Sequence, residues 1–279
     1  MINDVRSKNN GGYESFADRG GFDDIASCYD SEVLRYFYDG ATELINELEI
    51  CGTESILDLG TGTGHTSIQI AEKFPECKIV GIDISEEMLS KAKGKSKNLK
   101  NLQFQKADWE NLQGIEGEFD IIVNSFGISF VKDFEKLVKS ICSKLKENSK
   151  FAYVNFVDDG FMPYLLCMYE DLNEMNIKIR DDDLNPVNEI LEVLMNKQGF
   201  KTKKVVKKKL CYTIKKPEDW WTIISKTAIR EAFFYDSPIE KIEKFKELHL
   251  NNIKKMIDNG KDKITVPVVV YVLERKLLK

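Results

Sequence analysis

The sequence predicts an α/β domain built around a largely parallel sheet, and three observations carry that reading. Short apolar runs alternate with stretches of helical periodicity between about residues 55 and 157. The first run feeds straight into a glycine-rich turn, Gly60-Thr61-Gly62-Thr63-Gly64. Three acids, Asp58, Asp83 and Asp108, then follow one another at intervals of 25 residues, one per strand–helix unit.

The elements follow in order. Residues 1 to 21 are polar, with glycine pairs at 11–12 and 20–21 and only Tyr13 and Phe16 as large anchors, so they predict a flexible flap. Val33, Leu34, Phe37, Ala41, Leu44, Ile45 and Leu48 recur at helical spacing and predict one helix ending near Cys51-Gly52. A strand over 55 to 59 precedes the glycine turn. A helix through Ile68, Ile70, Ala71 and Phe74 follows it and stops at Pro75. Residues 78 to 83 form the second strand, and Ser85 N-caps a helix carrying Met88, Leu89 and Ala92. Residues 102 to 107 and 119 to 123 make the third and fourth strands. A helix through Phe134, Leu137, Val138, Ile141 and Leu145 leads to the fifth, 151 to 157.

After residue 158 the rhythm breaks. One helix starts near Pro163 and ends in the acidic turn Asp181-Asp182-Asp183; a second opens at Asn185-Pro186 and closes at Gly199. A strand around Leu210, Tyr212 and Ile214 precedes a second helical block over 217 to 260, within which Ser237-Pro238-Ile239-Glu240 reads as a capping box. The last strand is 266 to 273. Residues 22 to 279 thus form a single domain with helical insertions at about 160–185 and 217–260.

Composition narrows the function classes. Forty-one basic against forty-six acidic residues give −5, which argues against a nucleic-acid binder relying on bulk charge. No apolar run approaches the ~18 residues of a membrane span, and no charged-then-apolar leader is visible, so a cytoplasmic protein is expected. Six cysteines at 28, 51, 77, 142, 167 and 211, without Cys-x-x-Cys, and only two histidines predict free thiols and no metal site of usual spacing.

The glycine turn carries the chemistry. Glycines between a strand and a helix let backbone approach a ligand closely, at the helix end that favours negative charge. A dinucleotide fingerprint would need glycine at 65, where His65 stands. Acid-x-Gly-x-Gly-x-Gly instead places Asp58 at a strand tip, where a carboxylate meets an ammonium group. Asp83 ends the second strand, placed to accept two ribose hydroxyls, and Asp108 beside Trp109 suits the amino edge and the face of a purine.

On these residues the chain resembles the class I S-adenosylmethionine-dependent methyltransferases, of the small-molecule group that includes quinone-biosynthesis C-methyltransferases. Asp58 to Gly64 matches that family's first motif, Asp83-Ile84 its second, Ala107-Asp108-Trp109 its third, and Phe119-Asp120-Ile-Ile-Val-Asn124 its fourth. Phe22 to Asp30 is similar to the family's lead-in, whose tyrosine, here Tyr29, sits near the methionine moiety. The resemblance covers residues 22 to 158. It implies a Rossmann-like seven-stranded sheet with the last strand antiparallel. It also implies S-adenosyl-L-methionine as cofactor, held by Tyr29, Asp58, Gly60, Gly62, Gly64, Asp83, Ile84, Met88, Asp108, Trp109 and Asn124.

The acceptor side is read more coarsely. In-line methyl transfer needs the acceptor lone pair held about 3 Å from the methyl carbon and water excluded, with a base only if a proton must leave. His65 reads as a helix-start residue and His249, on an apolar stripe, as a satisfied core histidine, so neither is assigned as a base. Trp220, Trp221, Phe233, Phe234 and Tyr235 are core or the wall of an acceptor pocket. Phe161, with Met162 and Tyr164, could face the same cavity, and Phe161, Trp220 and Trp221 are the candidate substrate residues. The helical blocks and residues 1 to 21 would make a lid. Six lysines between 201 and 209 guard an exposed strand or form a basic patch, with guarding the preferred reading. Asn124-Ser-Phe-Gly departs from the Asn/Asp-Pro-Pro-aromatic pattern of amino-directed nucleic-acid methylases. The expected partner is therefore a small-molecule methyl acceptor, with no nucleic acid. The alternatives are a protein or RNA methyltransferase, or a catalytically silent partner-binding module.

Overall fold

Seven strands form one sheet in the order β3-β2-β1-β4-β5-β7-β6 in the computed structural model, which describes residues 20–157, 160–178, 187–227, 229–234 and 237–275. Most of the expected flap (1–19), the acidic turn 181–183, Asn185-Pro186 and Tyr235 lie outside the described residues. The strands are β1 (Ser55–Leu59), β2 (Lys78–Asp83), β3 (Leu102–Lys106), β4 (Phe119–Ser125), β5 (Leu145–Phe156), β6 (Phe200–Thr213) and β7 (Lys263–Arg275). β7 runs antiparallel to both β5 and β6, and the other pairs are parallel, as the family resemblance implies. The chain steps outward from β1 to β3, then returns to the other side of β1 with β4. The order therefore reverses at the β1–β4 seam, the crevice where open α/β sheets bind ligands.

The helices are α1 (Gly21–Ile25), α2 (Tyr36–Glu47), α3 (His65–Lys73), α4 (Glu86–Lys95), α5 (Phe134–Lys144), α6 (Tyr164–Glu174), α7 (Val187–Lys197), α8 (Pro217–Ser225), α9 (Ile229–Phe234) and α10 (Ile239–Asp258). Alternate strand residues serve opposite faces. Ile56, Ile121, Val123, Ala152 and Val154 pack with Leu44, Ile45 and Ile70 of α2 and α3, whereas Leu57, Ile122, Phe151 and Tyr153 pack with Leu137, Val138, Ile141, Leu191 and Met195 of α5 and α7. No described helix is long and apolar enough to cross a membrane.

Local chemistry sets the boundaries. Ser85 Oγ accepts the Met88 N–H at 3.1 Å, and Asp133 Oδ1 accepts that of Lys136 at 3.0 Å, so both helices are capped by side chains. Pro267 lies within a central strand without breaking it. Its ring nitrogen faces the β5 side beyond the last ladder pair, Phe156 with Val268, where its own carbonyl accepts from Val157 N at 3.2 Å.

Three expectations are corrected. The single helix expected over 33 to 48 is a 3₁₀ turn, Glu32–Leu34, followed by α2. The capping box at Ser237 does not form: Pro238 takes the N-cap of α10 and makes no side-chain cap bond. At α8, Asp219 Oδ2 instead accepts the N–H groups of Lys215 and Lys216, with Pro217 in the first turn. β6 is longer than the strand expected around 210–214 and forms a sheet edge. Three of its lysines meet acids on α2, just beyond it and on β7: Lys208 lies 3.2 Å from Glu43, Lys204 3.3 Å from Glu49, and Lys203 2.8 Å from Glu49 and 2.7 Å from Glu274. Guarding of an edge strand is what the sequence led one to expect of them. All six cysteines are free thiols.

Candidate functional site

The site begins with backbone geometry. Gly60, Gly62 and Gly64 have φ of 64°, 56° and 85°, a region where side-chain-bearing residues are strained, so the turn between β1 and α3 requires glycine at all three places. The three tolerate a side chain differently. A Cβ on Gly62 would meet nothing within 4 Å among the described residues, whereas one on Gly64 would sit 3.0 Å from Phe104 Cζ and 3.2 Å from Ala92 Cβ. Gly62 presents bare backbone to the crevice; Gly64 lets α3, α4 and β3 close together.

Two buried carboxylates flank the turn. Asp58 is fully buried, and its Oδ2 accepts from Thr61 Oγ1 at 2.6 Å and Ser67 Oγ at 2.7 Å. Its Oδ1 has no protein partner among the described residues. Burial pushes its carboxyl up to about 6, with the neighbouring Asp83 charge adding to the rise and the Ser67 and Thr61 bonds opposing it. Asp83 Oδ2 accepts Gly62 N at 2.8 Å and Oδ1 accepts Ser85 N at 2.9 Å, so it ties the second strand to the turn. Burial raises its carboxyl above the usual range. Each Asp83 oxygen keeps a second lone pair for a hydroxyl donor.

The lead-in segment crosses over this turn. Asp30 Oδ1 accepts from Thr63 Oγ1 at 2.5 Å and pairs with His65 Nε2 at 2.7 Å, while Asp30 Oδ2 meets Lys95 Nζ at 2.8 Å. Burial would raise the Asp30 carboxyl, but these three bonds carry it well below the carboxylate range. Tyr29 stacks on Phe37 at 4.7 Å and lies 6.0 Å from the His65 ring; burial, with the charges of Asp83 and Asp30, pushes its phenol far up. Met88 is buried against Ile25 of α1 and Ala26 just after it, beside Phe22 and Tyr29. Ile84, just past Asp83, stands 45% exposed, an uncovered apolar side chain at the strand tip.

At the far side of the crevice, Asn124 is buried and Nδ2 donates to Leu59 O at 2.7 Å, while its Oδ1 has no protein partner among the described residues. Asp108 is exposed and its Oδ1 accepts from Glu110 N at 2.8 Å. Trp109 does not stand beside it at the rim; its ring turns inward against Gly60 and Gly127. Asp58, the glycines, Asp83, Tyr29, Trp109 and Asn124 are thus brought together, with Asp108 and Ile84 at the edge and Met88 beneath α1.

The candidate acceptor residues separate. Phe161, at φ 62°, lies 5.4 Å from the Tyr36 ring and 6.0 Å from Trp220, which is fully buried. Trp221 faces elsewhere, against Phe234 at 6.0 Å and Phe245 at 6.4 Å, with Lys246 Nζ 5.3 Å above it. A column of rings, Tyr29, Phe37, Tyr36, Phe161 and Trp220, joins the lead-in to α8 through consecutive distances of 4.7, 4.5, 5.4 and 6.0 Å.

Sequence reasoning gave no role to Asp30, Glu110 or Phe126. Asp30 directly follows Tyr29 and was legible as an acid in the lead-in. Glu110 is buried and accepts Lys132 N at 2.9 Å, pinning the loop before α5 to the one after β3. Phe126 holds φ 60°, and its ring lies where a Cβ on Gly40 would be; no local pattern signals that pairing.

Cys167, Asp171 and His249 gather their ligand atoms within 4.8 Å, although their sequence spacing suggested no metal site. The hydrogen bonds oppose metal binding there. The Trp220 indole, a donor only, points at His249 Nε2 at 2.7 Å, which leaves the proton on Nδ1 facing Asp171 Oδ2 at 2.5 Å.

A largely parallel sheet with this reversal, a glycine turn at its first strand and acids at the next strand ends define a Rossmann-like fold, the class whose crevice at this seam takes nucleoside cofactors. A family model described as a methyltransferase domain matches residues 52–213, and the chain belongs to that family, in the class I S-adenosylmethionine-dependent group. It is 29% identical over 140 residues to the uncharacterized methyltransferase YcgJ of Bacillus subtilis, covering 50% of this chain and 53% of that protein. It is 35% identical over 116 residues to the ubiquinone/menaquinone biosynthesis C-methyltransferase UbiE of Rickettsia peacockii (38% and 47%). To the trans-aconitate 2-methyltransferase of Deinococcus radiodurans it is 31% identical over 97 residues (35% and 36%). The chain spans about half the length, or less, of these curated relatives. The crystal structure of Bacillus subtilis YcgJ shares the fold with a TM-score of 0.54 at 18% identity, over 86% of this chain and 99% of that one.

The residues present fit this cofactor. Asp58 Oδ1 and Asn124 Oδ1 are buried acceptors without protein partners among the described residues, suited to an ammonium and to a cationic centre. Among the described residues no atom lies within 4 Å of where a Cβ on Gly62 would stand, which leaves room for a ligand against the turn.

Proposed function

We propose that this chain transfers the methyl group of S-adenosylmethionine to a small-molecule acceptor. One observation carries the reading: Asp58, the three left-handed glycines and Asp83 meet in a single hydrogen-bonded unit at the β1–β4 crevice. Asp58 Oδ1 is suited to the methionine ammonium, Asp83 to the ribose hydroxyls, and Ile84 with the exposed Asp108 to the purine. When bound, the cofactor supplies an already activated methyl group, so the protein's part is to align the acceptor and exclude water.

The histidines support a mechanism driven by proximity and desolvation. His249 has both ring nitrogens engaged, by Trp220 and Asp171, and so is closed to the role of base, while His65 is tied through Nε2 to Asp30 beside the glycine turn. Phe161 and the ring column are proposed as the acceptor wall, and α6 with α8–α10 as the lid above it. Trp221 has no part in that wall. The relatives named for ubiquinone/menaquinone biosynthesis and for trans-aconitate support a small acceptor. Three of the six lysines of β6, Lys203, Lys204 and Lys208, are already ion-paired, which weighs against a polyanionic one. Six free thiols agree with a cytoplasmic setting.

Native mass spectrometry of the purified protein tests this. Co-purified or added S-adenosylhomocysteine should be retained at one equivalent. Retention of a nicotinamide nucleotide in its place overturns the reading.

A further inference from the structure

We propose that the Trp109 indole, wedged at the seam between β1 and β4, forms with the Asn124 carbonyl oxygen the seat for the cofactor's positively charged sulfur. This rests on the proposed function above and assigns Trp109 a task other than stacking on the purine.

The position of the ring is set by two glycines. A Cβ on Gly60 would strike Trp109 Cζ3, and one on Gly127 would lie 2.7 Å from Cζ3 and 3.0 Å from Cη2. The same Gly127 Cβ would lie 2.7 Å from Asn124 Nδ2, so the amide nitrogen and the indole flank one point, with the carbonyl oxygen on the other arm of that amide. Gly60 opens the turn after β1, and Gly127 follows β4 by two residues. The ring therefore occupies the place where strand order reverses. It also packs on the buried cluster that contains Leu57, Leu59 and Ile82, which makes it a fixed surface. Asn124 is fixed as well, because Nδ2 donates to Leu59 O and leaves Oδ1 as a buried acceptor with no protein partner among the described residues.

A sulfonium suits this pair. It is a cation with no N–H or O–H to donate, so a carboxylate's hydrogen-bonding advantage is lost on it. An aromatic face and a carbonyl dipole stabilise such a charge without adding net charge. The thioether left after methyl transfer is neutral and gains nothing from either. The seat thus favours the charged donor over its product, which assists product release.

Titration calorimetry with S-adenosylmethionine and S-adenosylhomocysteine tests the assignment through the ratio of the two affinities. Trp109→Leu should weaken binding of the sulfonium about tenfold more than binding of the thioether. Trp109→Phe should keep most of the discrimination. Gly127→Ala, which displaces both the indole and the Asn124 amide without deleting either, should lower the ratio as Trp109→Leu does, and it serves if the leucine variant lacks a cooperative melt. Equal loss for both ligands assigns the ring to the purine and overturns the proposal. A gain for both makes the indole an obstruction and overturns it as well. A wild-type protein that binds neither ligand overturns the proposed function itself, and this seat with it.

Discussion

The Trp220 indole N–H donates to His249 Nε2 at 2.7 Å, and His249 Nδ1 faces Asp171 Oδ2 at 2.5 Å. Asn252 Nδ2 completes the chain on Asp171 Oδ1 at 2.8 Å. These four side chains join α6, α8 and α10, with the rings of Tyr164 and Phe161 packed on Trp220 and that of Phe245 stacked on His249. Asp171→Ala would leave the buried His249 Nδ1–H without an acceptor, at a cost of about 1–3 kcal/mol, and would free the half-buried Asn252 amide. The melting temperature should fall by several degrees while cofactor affinity, set at the distant sheet edge, stays within about twofold. Calorimetric unfolding and ligand titration on the same preparation check both halves.

The same network adds an acid limit. Burial would raise the Asp171 carboxyl, but bonds from His249 and Asn252 hold it below its usual value. Its contribution to stability is therefore full above the unfolded value near 3.9 and is lost as pH falls below that. Chemical denaturation between pH 3 and 5 should show the loss, and Asp171→Asn should blunt it.

Asp58 has the opposite sign. Its carboxyl titrates near 6 in the folded chain, so the folded state holds a proton that the unfolded state releases near 3.9. Stability from this group declines as pH rises from about 4 to about 6 and is level above. A cationic ligand prefers the carboxylate, so cofactor affinity should climb through pH 6 and release protons there. Calorimetry in two buffers of different ionisation heat reads that release. Asp58→Asn should flatten the climb, with the remainder attributable to Asp83.

Gly62 and Gly64 predict contrasting variants. Gly62→Ala meets no atom within 4 Å among the described residues, so its stability cost is the left-handed backbone alone, about 1 kcal/mol, while cofactor binding drops sharply. Gly64→Ala adds contacts of 3.0–3.2 Å with Phe104, Ile68 and Ala92 and should lose about 1–3 kcal/mol more. Equal melting temperatures for the two would contradict the division of labour within the turn.

Asp83→Ala should lower cofactor affinity by about tenfold to a hundredfold, the worth of one or two charge-assisted hydrogen bonds. Circular dichroism should stay unchanged. Undiminished binding removes the ribose assignment.

How far the sequence reaches can be judged residue by residue. Asp58 and Asp83 were legible because a parallel β-α repeat delivers each strand tip to one edge, and the glycines because only they adopt the turn's backbone. His249 was legible as a core histidine from its apolar stripe. Its partners were not: Asp171 is 78 residues and Trp220 29 residues away in the chain, on other helices, and no local pattern encodes that pairing. Adjacency to Asp108 suggests the face of a purine for Trp109, and no local pattern shows that the room left by Gly60 and by Gly127 holds the indole inward. The length of β6 was hidden because alternating lysines mask an edge strand's apolar period.

The ring column from Tyr29 to Trp220 has a consequence for how such a protein can diversify. Its members touch in series, so a change of ring size at Phe161 is felt at Tyr36, then at Phe37 and Tyr29, beside the glycine turn. New acceptor preferences that arise by resculpting Phe161 would travel down the stack and detune the cofactor end as well. Mutational routes that begin at the outer helices, beyond Trp220, escape that coupling, and variation in acceptor choice should accumulate there first.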